Sequence, residues 1–189
     1  MAAEEMLIIA ITGMPGAGKT TAAEALGMLG LKRVAMGDMI RQETRRRGLV
    51  EDDKNMGNVM REMRERYGAG AVAELCLQVI ESMNEKVVVV DGIRSVSEVE
   101  AFRKAGDVKL LALLASRQRR FALLTERKRS DDPPDMKSFN ARDERELSIG
   151  IGNAIALADE AISNEHLHRQ ELADASIGIA RGWMNSAGS

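Results

Sequence analysis

A chain of 189 residues is long enough to bury a sizeable core and fits one domain better than two, with apolar and charged fractions ordinary for a globular protein. A formal net charge of −2 excludes whole-surface attraction to nucleic acid or an anionic membrane, so any basic site has to be local. The single cysteine, Cys76, excludes an intramolecular disulfide and a cysteine-held zinc, which predicts a reducing, cytoplasmic setting.

In chain order, the start "MAAEEMLIIAITG" carries acids where a secretory signal carries bases, and its apolar run is too short to span a bilayer. "MLIIAIT" (6–12) predicts a first strand, followed by "ITGMPGAGKTT" (Ile11 to Thr21) and a helix-forming "TAAEALGML". "LKRVAM" (31–36) predicts the second strand. The Arg- and acid-rich "MGDMIRQETRRRGLVEDDKNMGNVMREMRERYG" then predicts helices broken near Gly48, with Arg64 and Tyr67 closing the segment either on the acceptor side of a site or beside the packing of Met56, Met60 and Met63. Cys76 falls in the apolar helical "AVAELCLQVI" and is read as core. The third strand, "KVVVVD" (86–91), is apolar almost throughout, as a central parallel strand covered on both faces must be. "VKLLALLA" (108–115) predicts the fourth strand. In the second charged insertion, "ERKRSDDPPDMKSFNARDER", the "DPP" stops a helix because proline lacks the N–H and restricts its predecessor. Helical "ARDERELSIGIGNAIAL" leads to a short fifth strand, "ADEAIS" (158–163), and the last residues, "MNSAGS", should fray. Strands alternating with helices predict an α/β domain built on a parallel sheet.

Gly13-Met14-Pro15-Gly16-Ala17-Gly18-Lys19-Thr20 fits G-x-x-x-x-G-K-[ST], with the strand before it and the helix after it that this motif requires. Glycines let successive backbone N–H groups curl around phosphate, the helix presents its positive end, and Lys19 reaches the transferring phosphate. Thr20 offers a hydroxyl to magnesium, and Asp91, at the carboxyl end of a strand, stands where an acid can hold the same ion. "DG" at 91–92 is equally a turn signal. His166 and His168 are two apart, cannot share a helical face, and are read as surface residues.

Beyond the phosphate loop, Gly37-Asp38-Met39-Ile40-Arg41, Asp91-Gly92-Ile93-Arg94 and Arg129-Ser130-Asp131-Asp132 follow in the order seen in the nucleoside monophosphate kinases, which the chain resembles over residues 6 to about 165. The closest likeness is to adenylate kinase, and within that group to a mainly archaeal set of adenylate-kinase-related proteins with similar "DGIRS" and "AD-x-x-I-x-N" wording. The resemblance implies a three-layer P-loop fold with a five-stranded parallel sheet in the order 2-3-1-4-5. Its core would be 1–36, 69–126 and 138–184, with a helical acceptor-binding insertion at 37–68 and a short lid at 127–137.

It further implies ATP and Mg2+ as cofactors and a small-molecule phosphate acceptor as partner. Gly13, Pro15, Gly16, Ala17, Gly18, Lys19, Thr20, Thr21 and the loop at Asn164 would bind the nucleotide; Thr20 and Asp91 would hold the metal. Asp38, Arg41, Arg94 and Glu98 would form the acceptor site. Lys19, Arg94, Arg129 and Arg142 would act in catalysis, with Arg120 and Arg127 as weaker candidates. Guanidinium groups grip phosphate oxygens bidentately, which suits arginine to both flaps. Arg45, Arg46 and Arg47 read instead as a solvated helix face.

Three departures stand against the adenylate kinase pattern. The motif ends G-K-T-T rather than G-K-G-T, and D-G-F-P-R is one residue shorter, which changes the reach of Arg94. Glu98 replaces a base-reading glutamine; it either reads a donor edge, which would make AMP a poor acceptor, or closes the S-x-x-E capping box of Ser95. A hydroxyl acceptor, as in dephospho-coenzyme A kinase, stays open because Asp38 is placed to act as a base. So does a nucleotide-switched ATPase that regulates a protein or RNA partner.

Overall fold

Five parallel strands form one sheet in the order β2-β3-β1-β4-β5, with β1 at Leu7–Thr12, β2 at Lys32–Ala35, β3 at Val87–Ile93, β4 at Asp107–Leu114 and β5 at Glu160–Ser163. This computed structural model describes residues 6–187. The acidic "MAAEE" start and the final Gly188 and Ser189 lie outside the described residues.

Alternation along the strands builds two cores. Ile8, Ala10, Val88, Val90, Val108 and Leu110 point to one face, and Leu7, Ile9, Ile11, Val89, Leu111 and Leu113 to the other. Helices α1 (Lys19–Gly27) and α9 (Arg169–Ala187) cover the second face through Ala22, Ala23, Leu26, Leu172 and Ala180. The first face is covered by α2 (Met36–Arg46), α3 (Asp53–Tyr67), α4 (Ala71–Met83), α5 (Val96–Arg103) and α8 (Ile151–Ala156). Cys76 is buried there, and burial pushes its thiol up to about 12, which leaves it inert. Helices α6 (Arg117–Arg127) and α7 (Met136–Ile149) flank the carboxyl end of the sheet and meet edge-to-face at Phe121 and Phe139, 5.3 Å between centroids.

All five predicted strands are present, and the first insertion breaks where Gly48 takes φ 70°. Asp52 then restarts the chain as α3 by accepting the Asn55 N–H at 2.7 Å. The second insertion leaves residues 128–135 non-helical before Asp135 caps α7. Three expectations are corrected. Strand β3 runs two residues past Asp91, because the "DG" signal is absorbed in a bulge: Ile11 pairs with Asp91 and Thr12 with Ile93, while Gly92 takes φ 103°. "ARDERELSIGIGNAIAL" is two helices, broken at Gly150 with φ 104°. The C-terminal segment stays helical through Ala187, because Trp183 and Met184 pack against the second core. Among the described residues, no helix is long and apolar enough to cross a membrane.

Candidate active site

The loop between β1 and α1 can follow its path only with glycine at three points. A Cβ on Gly13, at φ 141°, would lie 2.4 Å from the Leu113 carbonyl oxygen. At Gly16, φ 83°, a Cβ would lie 2.5 Å from the Arg120 carbonyl oxygen. One on Gly18, at φ 106°, would lie 2.7 Å from Asn164 Nδ2. The bulge in β3 and the Thr12 hydroxyl, which donates to the Ile93 carbonyl at 2.9 Å, hold the neighbouring strand ends in register. Two long-range braces fix the loop. Asn164 Nδ2 donates to the Ala17 carbonyl at 3.0 Å, and Arg120 donates to the Pro15 carbonyl at 3.2 Å while gripping Asp143 at 2.8 and 2.6 Å.

Lys19, first residue of α1, donates to the Gly13 and Met14 carbonyls at 2.6 and 3.2 Å. Burial lowers its pKa to about 8, against the opposing pull of Asp91 and Glu146. Burial raises the Asp91 carboxyl above its ordinary range, and Lys19, Arg33 and Arg129 partly offset that. A cation placed against this desolvated carboxylate would be favoured for the same reason. Among the described residues there is no cluster of three or more His, Cys, Asp or Glu that could hold a metal. Thr20 and Asp91 nevertheless line the cleft together, a donor set that suits Mg2+, which keeps waters and phosphate oxygens and takes only one or two protein ligands.

The cleft, about 490 Å³, is bounded by the phosphate loop, the carboxyl ends of β2 and β3, α2, α3, α6 and α7. Arg41 donates to Asp38 at 2.8 Å and to Asp131 at 3.0 Å. Arg142 reaches the same Asp131 at 3.2 Å and its carbonyl at 2.7 Å. Burial alone would raise the Asp131 pKa; Arg142 and Arg41 outweigh it and hold the carboxyl below its usual range. Arg94 donates to Glu146 at 2.8 Å, and Arg145 grips Asp53 at 2.6 and 2.7 Å. Arg129 faces the cleft from the 128–135 loop.

Most residues singled out from the sequence meet here. Gly13, Pro15, Gly16, Gly18, Lys19, Thr20, Thr21, Asp38, Arg41, Asp91, Arg94, Arg129, Arg142 and Asn164 all line the one cleft. Two do not. Ala17 is buried beneath the loop and contributes its carbonyl to Asn164. Glu98 is fully buried behind the cleft: Ser95 caps its N–H at 3.3 Å, and its carboxylate accepts the Arg94 N–H at 2.7 Å and Arg64 at 2.5 Å. With both oxygens engaged by protein donors, Glu98 does not face a ligand base; Ser95 supplies its half of the capping box, while the Glu98 carboxylate takes the Arg94 N–H, one residue before the cap, and Arg64. Asn164 is likewise a brace through its side chain. Tyr67 is exposed away from the cleft, His166 and His168 are exposed, and Arg45 and Arg46 lie on a solvated face paired to Glu51 and Glu43.

Sequence reasoning missed Arg33, Asp53, Arg145 and Glu146, all in the cleft. Arg145 and Glu146 follow Arg142 by three and four residues, so helical spacing would have placed them on its face. Arg33 on a strand and Asp53 at a helix start carry no comparable local signal.

Fold and loop together define a P-loop nucleotide-binding protein of kinase-like architecture. A family model described as an AAA domain matches residues 12–139. A UPF0200 protein from Methanocaldococcus jannaschii is 46% identical over 162 residues, covering 85% of this chain and 82% of that one. The chain therefore belongs to the UPF0200 family. A UPF0200/UPF0201 protein from Archaeoglobus fulgidus is 45% identical, and there the matched region makes up 51% of the relative's length. Among solved structures, shikimate kinase from Acinetobacter baumannii in complex with shikimate superimposes with a TM-score of 0.59 over 95% of each chain at 17% identity, a likeness of fold.

Proposed function

We propose that the protein transfers the terminal phosphoryl group of ATP, with Mg2+, to a small phosphorylated acceptor, with a nucleoside monophosphate as the leading case. The observation that carries this reading is charge. Ten arginine and lysine side chains and six carboxylates line the cleft, an excess of four positive charges in a chain whose net charge is −2. Magnesium-bound ATP brings about two negative charges and a phosphate monoester about two more, so a donor and a phosphorylated acceptor together match the excess and a donor alone does not.

In this reading the phosphate loop and Lys19 hold the donor, and Thr20 and Asp91 hold the metal. The metal, when bound, neutralises charge developing on the transferred group. Arg41 and Arg94 take the acceptor phosphate, and Arg129 and Arg142 span donor and acceptor, aligning the reacting oxygens. The α2–α3 segment is the acceptor flap, and the 128–135 loop is the lid. No general base is needed, because a phosphate acceptor is already ionised at neutral pH.

A hydroxyl acceptor is the second reading, favoured by Asp38, which lines the cleft with its side chain 56% exposed and so is open to act as a base. Coupled ATP-turnover assays with nucleoside monophosphates and with hydroxyl acceptors, repeated on Asp38→Asn, test the choice. A phosphorylated acceptor should be turned over by both forms, the variant slower by no more than about tenfold. Loss of roughly a hundredfold or more in the variant, with a hydroxyl substrate, would assign general-base work to Asp38 and overturn the first reading.

A further inference from the structure

Helix α7 turns three side chains into the cleft on one face, Arg142, Arg145 and Glu146, spaced i, i+3 and i+4. Glu146 is 2% exposed; one oxygen accepts from Arg94, and the other, Oε2, is buried with no hydrogen-bond partner. Leaving a carboxylate oxygen buried and unpaired is costly, so the site is built for a donor that the protein itself does not supply. The donor's character follows from its surroundings. Arg94 already balances the Glu146 charge, and Lys19 and Arg142 act on the same region, so an ammonium group or a second metal ion would enter a field that is already positive. A neutral hydroxyl meets no such opposition. The buried Nε atoms of Arg142 and Arg145 also make no hydrogen bond, although the first lies 3.5 Å from the Asp53 carboxylate, so the Arg145 Nε is the clearer donor beside the one acceptor. A ligand with anionic oxygens and a nearby hydroxyl satisfies both.

We propose that Glu146 reads a hydroxyl on the acceptor, so that the site selects a phosphate ester carrying a hydroxyl within a few atoms of its phosphate, such as a polyol or sugar phosphate, the ribose phosphate of a nucleotide included. The proposal rests on the phosphorylated-acceptor reading. Glu146 is then a specificity residue, and its ion pair with Arg94 sets the hydroxyl and phosphate subsites side by side.

Calorimetric titration of the whole protein with propyl phosphate, glycerol 3-phosphate, ribose 5-phosphate and phosphoethanolamine, on wild type and Glu146→Gln, tests this. Glutamine keeps an oxygen for Arg94 but places an amide N–H₂ where Oε2 stood. Wild type should bind at least one hydroxyl-bearing ester about 10- to 100-fold more tightly than propyl phosphate, the worth of a hydrogen bond to a charged group. In the variant that ratio should collapse, while loss of the charge beside Arg94 shifts the affinity for every ester, propyl phosphate included, in the same direction. Equal ratios in the two proteins, or equal weakening of every ester, would make Glu146 only an anchor for Arg94. Preference for phosphoethanolamine would overturn the hydroxyl assignment. Glu146→Asp offers a second variant, and the wild-type ratio stands as a test without either. If no phosphate ester binds wild type, the phosphorylated-acceptor reading falls and this proposal with it; if all bind alike, only this proposal falls.

Discussion

At Lys19 burial and binding pull in opposite directions. Burial lowers its pKa to about 8, while a polyphosphate needs the ammonium form and would raise the pKa again on binding. The protonated loop therefore predominates below pH 8, and nucleotide affinity should be flat there and fall by up to about tenfold per pH unit above it. Isothermal titration with a non-hydrolysable triphosphate between pH 6.5 and 9.5 measures this; a flat profile to 9.5 would mean that Lys19 is not the titrating contact. The unliganded fold has the converse dependence. The unfolded chain binds the extra proton between the two pKa values, so the Lys19 contribution to stability improves as pH rises from about 8 toward the ordinary lysine value of 10.5. The same scale shows what a motif can and cannot convey. The residues of the phosphate loop were legible because strand, glycines, lysine and helix constrain one another locally. Glu98 was not resolved, because whether its carboxylate faces a ligand or Arg64 depends on a residue 34 positions away.

Among the elements, the 128–135 loop is held by two carboxylates: Asp132 accepts from Arg127 and from the Arg129 N–H at 2.8 Å, and Asp131 ties the loop to the neighbouring helices. Asp131 is 4% exposed and bridges Arg41 on α2 to Arg142 on α7, an internal anion on two arginines proposed here for phosphate. Ser130 adds a contact from the same loop to the Glu51 carbonyl at 3.2 Å, next to the start of α3. Asp131→Asn should cost about 1–3 kcal/mol of stability and speed proteolytic cleavage within 128–135. It should also tighten the binding of inorganic phosphate, since both guanidinium groups lose the neutralising Asp131 charge. Unchanged cleavage, or weaker phosphate binding, would show that the carboxylate does not compete with the ligand. Strand and helix positions were readable from apolar runs, Gly48 and the "DPP" stop. The bulge at Gly92 was not, because "DG" signals a turn equally well when read alone. Nor was the pairing of the charged insertions: Arg145 with Asp53 and Arg41 with Asp131 join segments about ninety residues apart, which no local pattern encodes.

Taken whole, the molecule concentrates positive charge in one cleft of an otherwise slightly acidic chain. That contrast favours two anionic ligands held together over one triphosphate exposed to water. Closure over both would exclude water and favour transfer to the acceptor over hydrolysis. A nucleotide switch would behave differently, hydrolysing ATP without an acceptor. Phosphorus NMR of ATP, Mg2+ and protein, run with and without a panel of nucleoside monophosphates and sugar phosphates, separates the two most directly. The account predicts little inorganic phosphate from ATP alone and, with at least one acceptor, ADP together with a new phosphorylated product at a rate well above that background. Steady release of inorganic phosphate, unaffected by every acceptor and with no new phosphorylated species, would contradict it.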